Sequence, residues 1–284
     1  MKNQFQKNNY SVDELSFPVN IPILAYHQIV DDKMLSNNHS AYSMPLSQFE
    51  RQMQYLRDAG YRSITLMEFL HFRRLGLRAQ EKMFVLTFDD GYENFLTTAY
   101  PILHQHEFTA TVFLVAGCIG ATNRWDKVMN APLLSRDQIR KLRDADISFG
   151  SHTNTHPHLP DLSSEQIRDE LANSKKLLEH ILDREIPFLA YPYGESSPRV
   201  WEIAMETGYL TGCGVVTGKS GRYNLWRRPC ESTDSLLAFG FKLTSRYYQF
   251  LRLLRWARED TVVGQRLRKV KQQRLSPKTD TRYP

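Results

Sequence analysis

A chain of 284 residues with 41% hydrophobic content holds enough apolar material for one large α/β domain or two small ones, which excludes wholesale disorder. Its net charge is +6, much of it gathered in the far C-terminus. The three cysteines, Cys118, Cys213 and Cys230, lie far apart and match neither a disulfide framework nor a zinc knuckle. Residues 1–20 are polar, without the apolar stretch of a secretory signal, and no apolar run is long enough to span a bilayer. A cytoplasmic location is therefore expected.

In chain order, the apolar run 21–26 reads as a first strand that ends at His27. Residues 47–59 carry Phe49, Met53, Tyr55 and Leu56 at helical spacing, with Ser47 as cap and Gly60 as stop. A strand at 62–66 and a helix at 67–75, stopped by Gly76, follow. Residues 83–88 form a buried strand, and 94–106 a helix with an irregularity at Tyr100-Pro101. The run 110–115 has the β-branched content of a strand. Ser135 opens a helix to about residue 144 that carries Ile139 and Leu142, and 147–151 is the next strand. Ser163-Ser164-Glu165-Gln166 is a capping signature for a helix to 182. A strand at 188–191, a helix at 198–207 stopped by Gly208, and a strand at 209–216 complete the pattern. Strands alternating with helices predict parallel strands joined by helical crossovers. His27, Asp89, Asp90, His152, His156 and Tyr193 all fall just after predicted strands, and in a parallel barrel those ends share one face.

Two segments carry the chemistry. Leu86-Thr87-Phe88-Asp89-Asp90-Gly91 ends a strand with adjacent carboxylates, and Ser151-His152-Thr153-Asn154-Thr155-His156-Pro157 places two imidazoles four positions apart. Alone, the first can be a tight turn and the second a solvated pair. Together they offer one carboxylate and two neutral imidazoles, a facial ligand set for a divalent metal with open positions, and a spare carboxylate to act as base. The residues do not say which Asp binds, because neighbours on a strand face opposite ways.

With these motifs, residues 21–229 resemble the polysaccharide deacetylases with a NodB-homology domain, carbohydrate esterase family 4. The resemblance implies a distorted, incomplete seven-stranded (β/α) barrel. It implies that Asp90, His152 and His156 hold one divalent metal, with zinc first and cobalt, nickel or iron as alternatives, and that Asp89 is the general base. Phe188-Leu189-Ala190-Tyr191-Pro192-Tyr193-Gly194 is similar to the third family motif. There Tyr193 would supply an oxyanion-hole N–H, and Tyr191 and Pro192 would line the substrate site. The family's usual Arg, three positions before the Tyr, is here Ala190. Leu225-Trp226-Arg227-Arg228-Pro229 is the obvious source of a replacement cation, with Arg228 preferred to Arg227, and Trp226 is a candidate sugar platform. No His follows His180, so the family's C-terminal Leu-x-His acid is missing. Pro22-Ile23-Leu24-Ala25-Tyr26-His27 instead resembles the early Tyr-His segment of poly-N-acetylglucosamine deacetylases, which implies that His27 is the general acid. His158 reads as a neighbour of the His pair or a surface group, His104 and His106 as structural, and Trp125 and Asp126 as groove residues.

The expected organisation is an extension over 1–20, a catalytic domain over 21–240, and a basic helix and tail over 241–284. In that last part aromatic and aliphatic residues mix with Lys242, Arg246, Arg252 and Arg255, and Arg266, Arg268, Lys269, Lys271 and Arg274 follow. A packing helix with a solvated tail is preferred to a basic amphipathic helix on an anionic membrane, and nothing else supports nucleic-acid binding. The expected reaction is metal-dependent removal of an N-acetyl group from an amino-sugar-containing polysaccharide, oligosaccharide or lipid-linked glycan. An O-acetyl ester is the nearest alternative. A metal-containing sugar-binding module without turnover is a second class, supported by Ala190 alone, and an unrelated metal hydrolase is a third.

Overall fold

Short runs of almost unbroken burial set the architecture, and such runs belong to parallel strands covered on both faces. The computed structural model describes residues 21–34, 42–76, 81–125, 130–215 and 220–259. The central strands are β1 (Ile23–Tyr26), β5 (Met83–Phe88), β6 (Thr111–Leu114), β7 (Ser148–Ser151), β8 (Phe188–Ala190) and β9 (Thr211–Gly214). Between the first two of these come β2 (Gln28–Val30), β3 (Ser43–Pro45) and β4 (Arg62–Ser63); β10 (Leu225–Trp226) and β11 (Arg228–Pro229) end the series.

The sheet runs β10-β9-β8-β7-β6-β5-β1-β11, and every pairing in it is parallel. Its two ends belong to one stretch of chain. Leu225 and Trp226 pair with Cys213 and Gly214 of β9, while Arg228 and Pro229 pair with Leu24 and Ala25 of β1. Segment 225–229 therefore bridges both edges and closes a ring of seven staves, distorted where two-residue ladders make the join. β4 pairs with Met83 and Phe84 at the start of β5, below the point where β6 joins at Thr87. β2 and β3 form a separate parallel pair beside the ring; neither is foreseen from the sequence.

Period-two alternation splits the core into two layers. Ile23, Val85, Phe113, Phe188, Ala190, Cys213 and Leu225 belong to one apolar cluster, the inside of the ring. Leu24, Tyr26, Leu86, Phe88, Val112, Leu114, Phe149, Leu189 and Tyr191 belong to the larger cluster, which faces the helices. Phe113 fills the interior where Gly150 has no side chain; a Cβ there would come within 2.5 Å of its ring.

The helices are α1 (Leu46–Asp58), α2 (Leu66–Arg74), α3 (Tyr100–Gln105), α4 (Arg136–Arg143), α5 (Ser164–Leu182), α6 (Pro198–Glu206) and α7 (Leu236–Lys242). Capping boxes Thr65–Glu68, Ser135–Gln138 and Ser163–Gln166 start α2, α4 and α5. Ser47 does not cap α1; Pro45 precedes that helix without a side-chain bond. The helix read over 94–106 is broken. Residues Phe95–Ala99 form a π-helical turn, and the Tyr100 N–H bonds to Phe95 O. Pro101 has no N–H to offer the carbonyl four residues back, which widens the turn before it.

Chain contacts divide the protein into two units, 1–243 and 244–284. The second contains α8 (Arg246–Glu259). Residues 1–20, Asp126 and the basic residues from Arg266 onward lie outside the described residues. Among the described residues, no helix is long and apolar enough to cross a membrane.

Candidate active site

The inward parity of the strands continues past their ends and delivers most of the site. Two residues beyond Ala25 comes His27; two beyond Thr87, Asp89; two beyond Gly150, His152; two beyond Leu225, Arg227. Asp90 has outward parity, and its left-handed backbone, φ +73°, departs from the strand and turns its carboxylate inward beside its neighbour's. Thr153, His156 and Tyr193 also hold φ between +58° and +69°. Such conformations cost free energy in residues with a Cβ, and here they gather around one centre.

At that centre Asp90 Oδ1 lies 3.4 Å from His152 Nε2 and 3.3 Å from His156 Nε2. One ligating atom from each of the three side chains falls within 4.8 Å of the others, and all three residues are buried. His152 Nδ1 is 2.8 Å from the Ala190 carbonyl, which can only accept. The proton therefore sits on Nδ1, and the Nε2 lone pair faces Asp90. Burial, reinforced by His156, pushes the His152 imidazole down to about 4 despite the opposing pull of Asp89 and Asp90, so it is neutral at pH 7. Asp90 Oδ1 and His156 Nδ1 are buried and find no hydrogen-bond partner among the described residues. A buried carboxylate oxygen stranded between two imidazole nitrogens fits a divalent cation, and this nitrogen–oxygen donor set suits zinc, cobalt, nickel or iron.

Asp89 is held apart from this cluster. Arg227 Nη1 donates to its Oδ1 at 2.6 Å and Nη2 to its Oδ2 at 2.7 Å. Burial would raise the Asp89 carboxyl, but the facing guanidinium, helped by His152, holds it well below the usual carboxylate range. Arg227 is itself fixed: Nη1 reaches Thr87 Oγ1, Nε reaches Gly214 O, and the guanidinium lies 5.4 Å from the centre of the Phe113 ring. This corrects the choice of Arg228. Arg228 pairs with Leu24 in the β11 ladder and shares its outward parity, so it cannot face Asp89, whereas Arg227 continues the inward row of Leu225.

His27 is half-buried between β1 and β2, its ring 4.5 Å from Tyr42, and it acts electrostatically on both Asp89 and Asp90. Tyr193 sets its ring edge against His156 at 4.7 Å and stacks on His158 at 3.9 Å. His158 Nδ1 in turn lies 2.8 Å from Glu195 Oε2. Trp125 stacks on His156 at 4.4 Å, which gives the site an aromatic wall. Pro192 is buried in the turn below Tyr193, and Trp226 is half-buried beside Gly214. Tyr191 needs correction as a substrate contact. It is fully buried with outward parity, and its hydroxyl donates to Tyr223 O at 2.8 Å in the helix-facing core. His104 lies exposed in the last turn of α3, and His106, the cap that follows it, is buried.

Two imidazoles and a carboxylate around one point, with a second carboxylate kept ionised beside them at the strand-end face of a parallel barrel, are the equipment of a hydrolytic enzyme. Comparison with known proteins gives the family. Residues 76–212 match the family model described as polysaccharide deacetylase. "Putative polysaccharide deacetylase YxkH" of Bacillus subtilis is 30% identical over 232 residues, which cover 80% of this chain and 77% of that protein. The poly-beta-1,6-N-acetyl-D-glucosamine N-deacetylase of Staphylococcus aureus is 26% identical over 226 residues, 72% of this chain and 76% of the relative. The solved Streptococcus pyogenes deacetylase PplD, in complex with acetate, superposes with a TM-score of 0.67 at 25% identity, over 78% of this chain and 97% of that one. The chain belongs to the polysaccharide deacetylase family and is a carbohydrate deacetylase of the NodB-like barrel type.

Proposed function

We propose that this enzyme removes N-acetyl groups from an amino-sugar-containing saccharide, with one divalent ion, zinc first, held by Asp90, His152 and His156. The observation that carries this reading is the buried, unpartnered Asp90 Oδ1 between two imidazole nitrogens, with Asp89 bound to Arg227 instead. Similarity to a relative named as an N-deacetylase of poly-beta-1,6-N-acetyl-D-glucosamine supports the N-acetyl target. When bound, the ion would polarise the acetyl carbonyl and make its water more acidic. Asp89 takes a proton from the attacking water as the new carbon–oxygen bond forms. The Tyr193 N–H steadies the oxygen that gathers negative charge. His27 gives a proton to the sugar nitrogen as the carbon–nitrogen bond breaks, since an unprotonated amide nitrogen leaves poorly. The products are acetate and the free amino sugar. Arg227 keeps Asp89 ionised and aimed, and the Ala190 carbonyl keeps His152 in the tautomer that binds metal.

Ala190 was the one feature favouring a module without turnover. With Arg227 in contact with Asp89, the buttress is supplied from another strand and that reading loses its support. Acetate release from N-acetylglucosamine oligomers, with and without chelator, tests the proposal. Release that stops with chelator and returns with added zinc is expected; release indifferent to chelator would end the metal reading. His27→Ala compared on amide and O-acetyl ester substrates checks the acid role, because an alcohol leaves with less help. A large loss on the amide and a small one on the ester is expected, and equal losses would remove the role.

A further inference from the structure

We propose that Glu170, on α5, is the positioning residue that presets the His156 loop for metal binding; the inference rests on the metal reading above. Residues 152–156 must place two imidazoles on one point within a single tight turn. Thr153 at φ +69° and His156 at φ +66° are the cost of doing so. A loop of that kind persists only where its surroundings over-determine it, so the partners of its N–H groups decide what holds it.

Each N–H has a partner. Thr153 N–H donates to Ser151 Oγ at 3.1 Å, and His156 N–H donates to Thr153 Oγ1 at 3.1 Å. The two between them turn to Glu170. Asn154 N–H and Thr155 N–H both donate to Glu170 Oε2 at 2.9 Å, and the Thr155 hydroxyl donates to Oε1 at 2.7 Å. From the opposite side Ala116 N–H and Gly117 N–H donate to the Thr153 and Asn154 carbonyls at 3.0 and 2.9 Å. A Cβ on Gly117 would stand 2.7 Å from that Asn154 oxygen, so the approach requires glycine. Ser151 Oγ donates to Ser174 Oγ at 2.8 Å and ties β7 to the same helix that carries Glu170. Glu170 thus brings a charged side chain to the loop backbone, and it accepts three charge-assisted bonds from the loop. Without it, two adjacent N–H groups lose their acceptor, and the turn between the left-handed Thr153 and His156, which brings His156 Nε2 to 3.3 Å from Asp90, loses its tie to α5.

The test is zinc affinity, read by competition with a chromophoric chelator on metal-free protein, alongside thermal melting. Glu170→Ala is expected to weaken zinc binding about 10- to 100-fold, the usual effect of removing a group that orients a ligand. Glu170→Gln falls between it and wild type, since an amide oxygen still accepts but without the charge. Glu179→Gln serves as control. That residue sits further along α5 and holds Lys175 and the Ile186 N–H, so its loss lowers the melting temperature and leaves zinc affinity unchanged. Wild-type affinity in Glu170→Ala overturns the inference. If Glu170→Ala does not fold, Glu170→Gln decides: weaker zinc binding than wild type supports the role, and equal binding overturns it. A wild-type protein that binds no zinc contradicts the metal reading itself, and that result appears before any variant is compared.

Discussion

Replacing Arg227 by Met removes two hydrogen bonds of 2.6 and 2.7 Å from a carboxylate that is only 4% exposed. A buried charge left without its partner costs about 3–5 kcal/mol, and that loss of stability is expected at neutral pH. The sign of the pH effect follows from the two opposing influences on Asp89. In the wild type the guanidinium outweighs burial and holds the folded carboxyl below its ordinary value. The pair's stabilisation is therefore complete above the unfolded value of about 3.9 and fades as the pH falls below it. In Arg227→Met burial is opposed only by the smaller pulls of His152 and His27, so the carboxyl rises and the acid limb of kcat/KM moves to higher pH. Arg227→Lys keeps the charge and loses the two-pronged grip, and it should lie between the two. Denaturant midpoints and a kcat/KM profile for acetate release between pH 4 and 9 (about the working range of carboxylate and imidazole groups) read both effects. A Met variant with wild-type stability and an unmoved acid limb would refute the assignment of Arg227 as the group that sets Asp89.

Two further outcomes check other parts of the site. Tyr191→Phe removes only the hydroxyl bonded to Tyr223 O, so stability should fall by about 1 kcal/mol with KM unchanged; a raised KM would return Tyr191 to the substrate wall. His152 has a folded value of about 4 in the metal-free protein, against an ordinary value of about 6.5. The unfolded chain takes up protons first, so the metal-free protein should be most stable above pH 6.5 and lose stability down to about pH 4. His152→Gln should flatten that slope, and a slope equal to wild type would show that His152 is not its source.

The barrel strands were legible because each is an almost unbroken apolar run, and such runs have few alternatives in a chain that alternates them with helices. Period two, carried past the strand ends, was the signal left unused. Counted from Leu225 it selects Arg227 over Arg228, and counted from Leu189 it sends Tyr191 into the helix-facing core. Asp89 and Asp90 could not be separated that way, because the left-handed backbone at Asp90 is a property of the turn rather than of the residue type. Pro101 marked an irregular helix, but whether the chain narrows or widens there depends on packing. β2 and β3, three residues each, are too short for a periodic signal. Glu170 reads as an ordinary charge on a helix, and only the fold brings it to the two N–H groups of the His156 loop.

Zinc content of purified Asp89→Asn beside that of Asp90→Ala bears most directly on the division of labour between the two carboxylates. One equivalent retained in Asp89→Asn without acetate release, and none in Asp90→Ala, is the expected result. Loss of the ion from Asp89→Asn with retention in Asp90→Ala would mean that the roles are reversed, and the geometry of the Arg227 pair would then need another explanation.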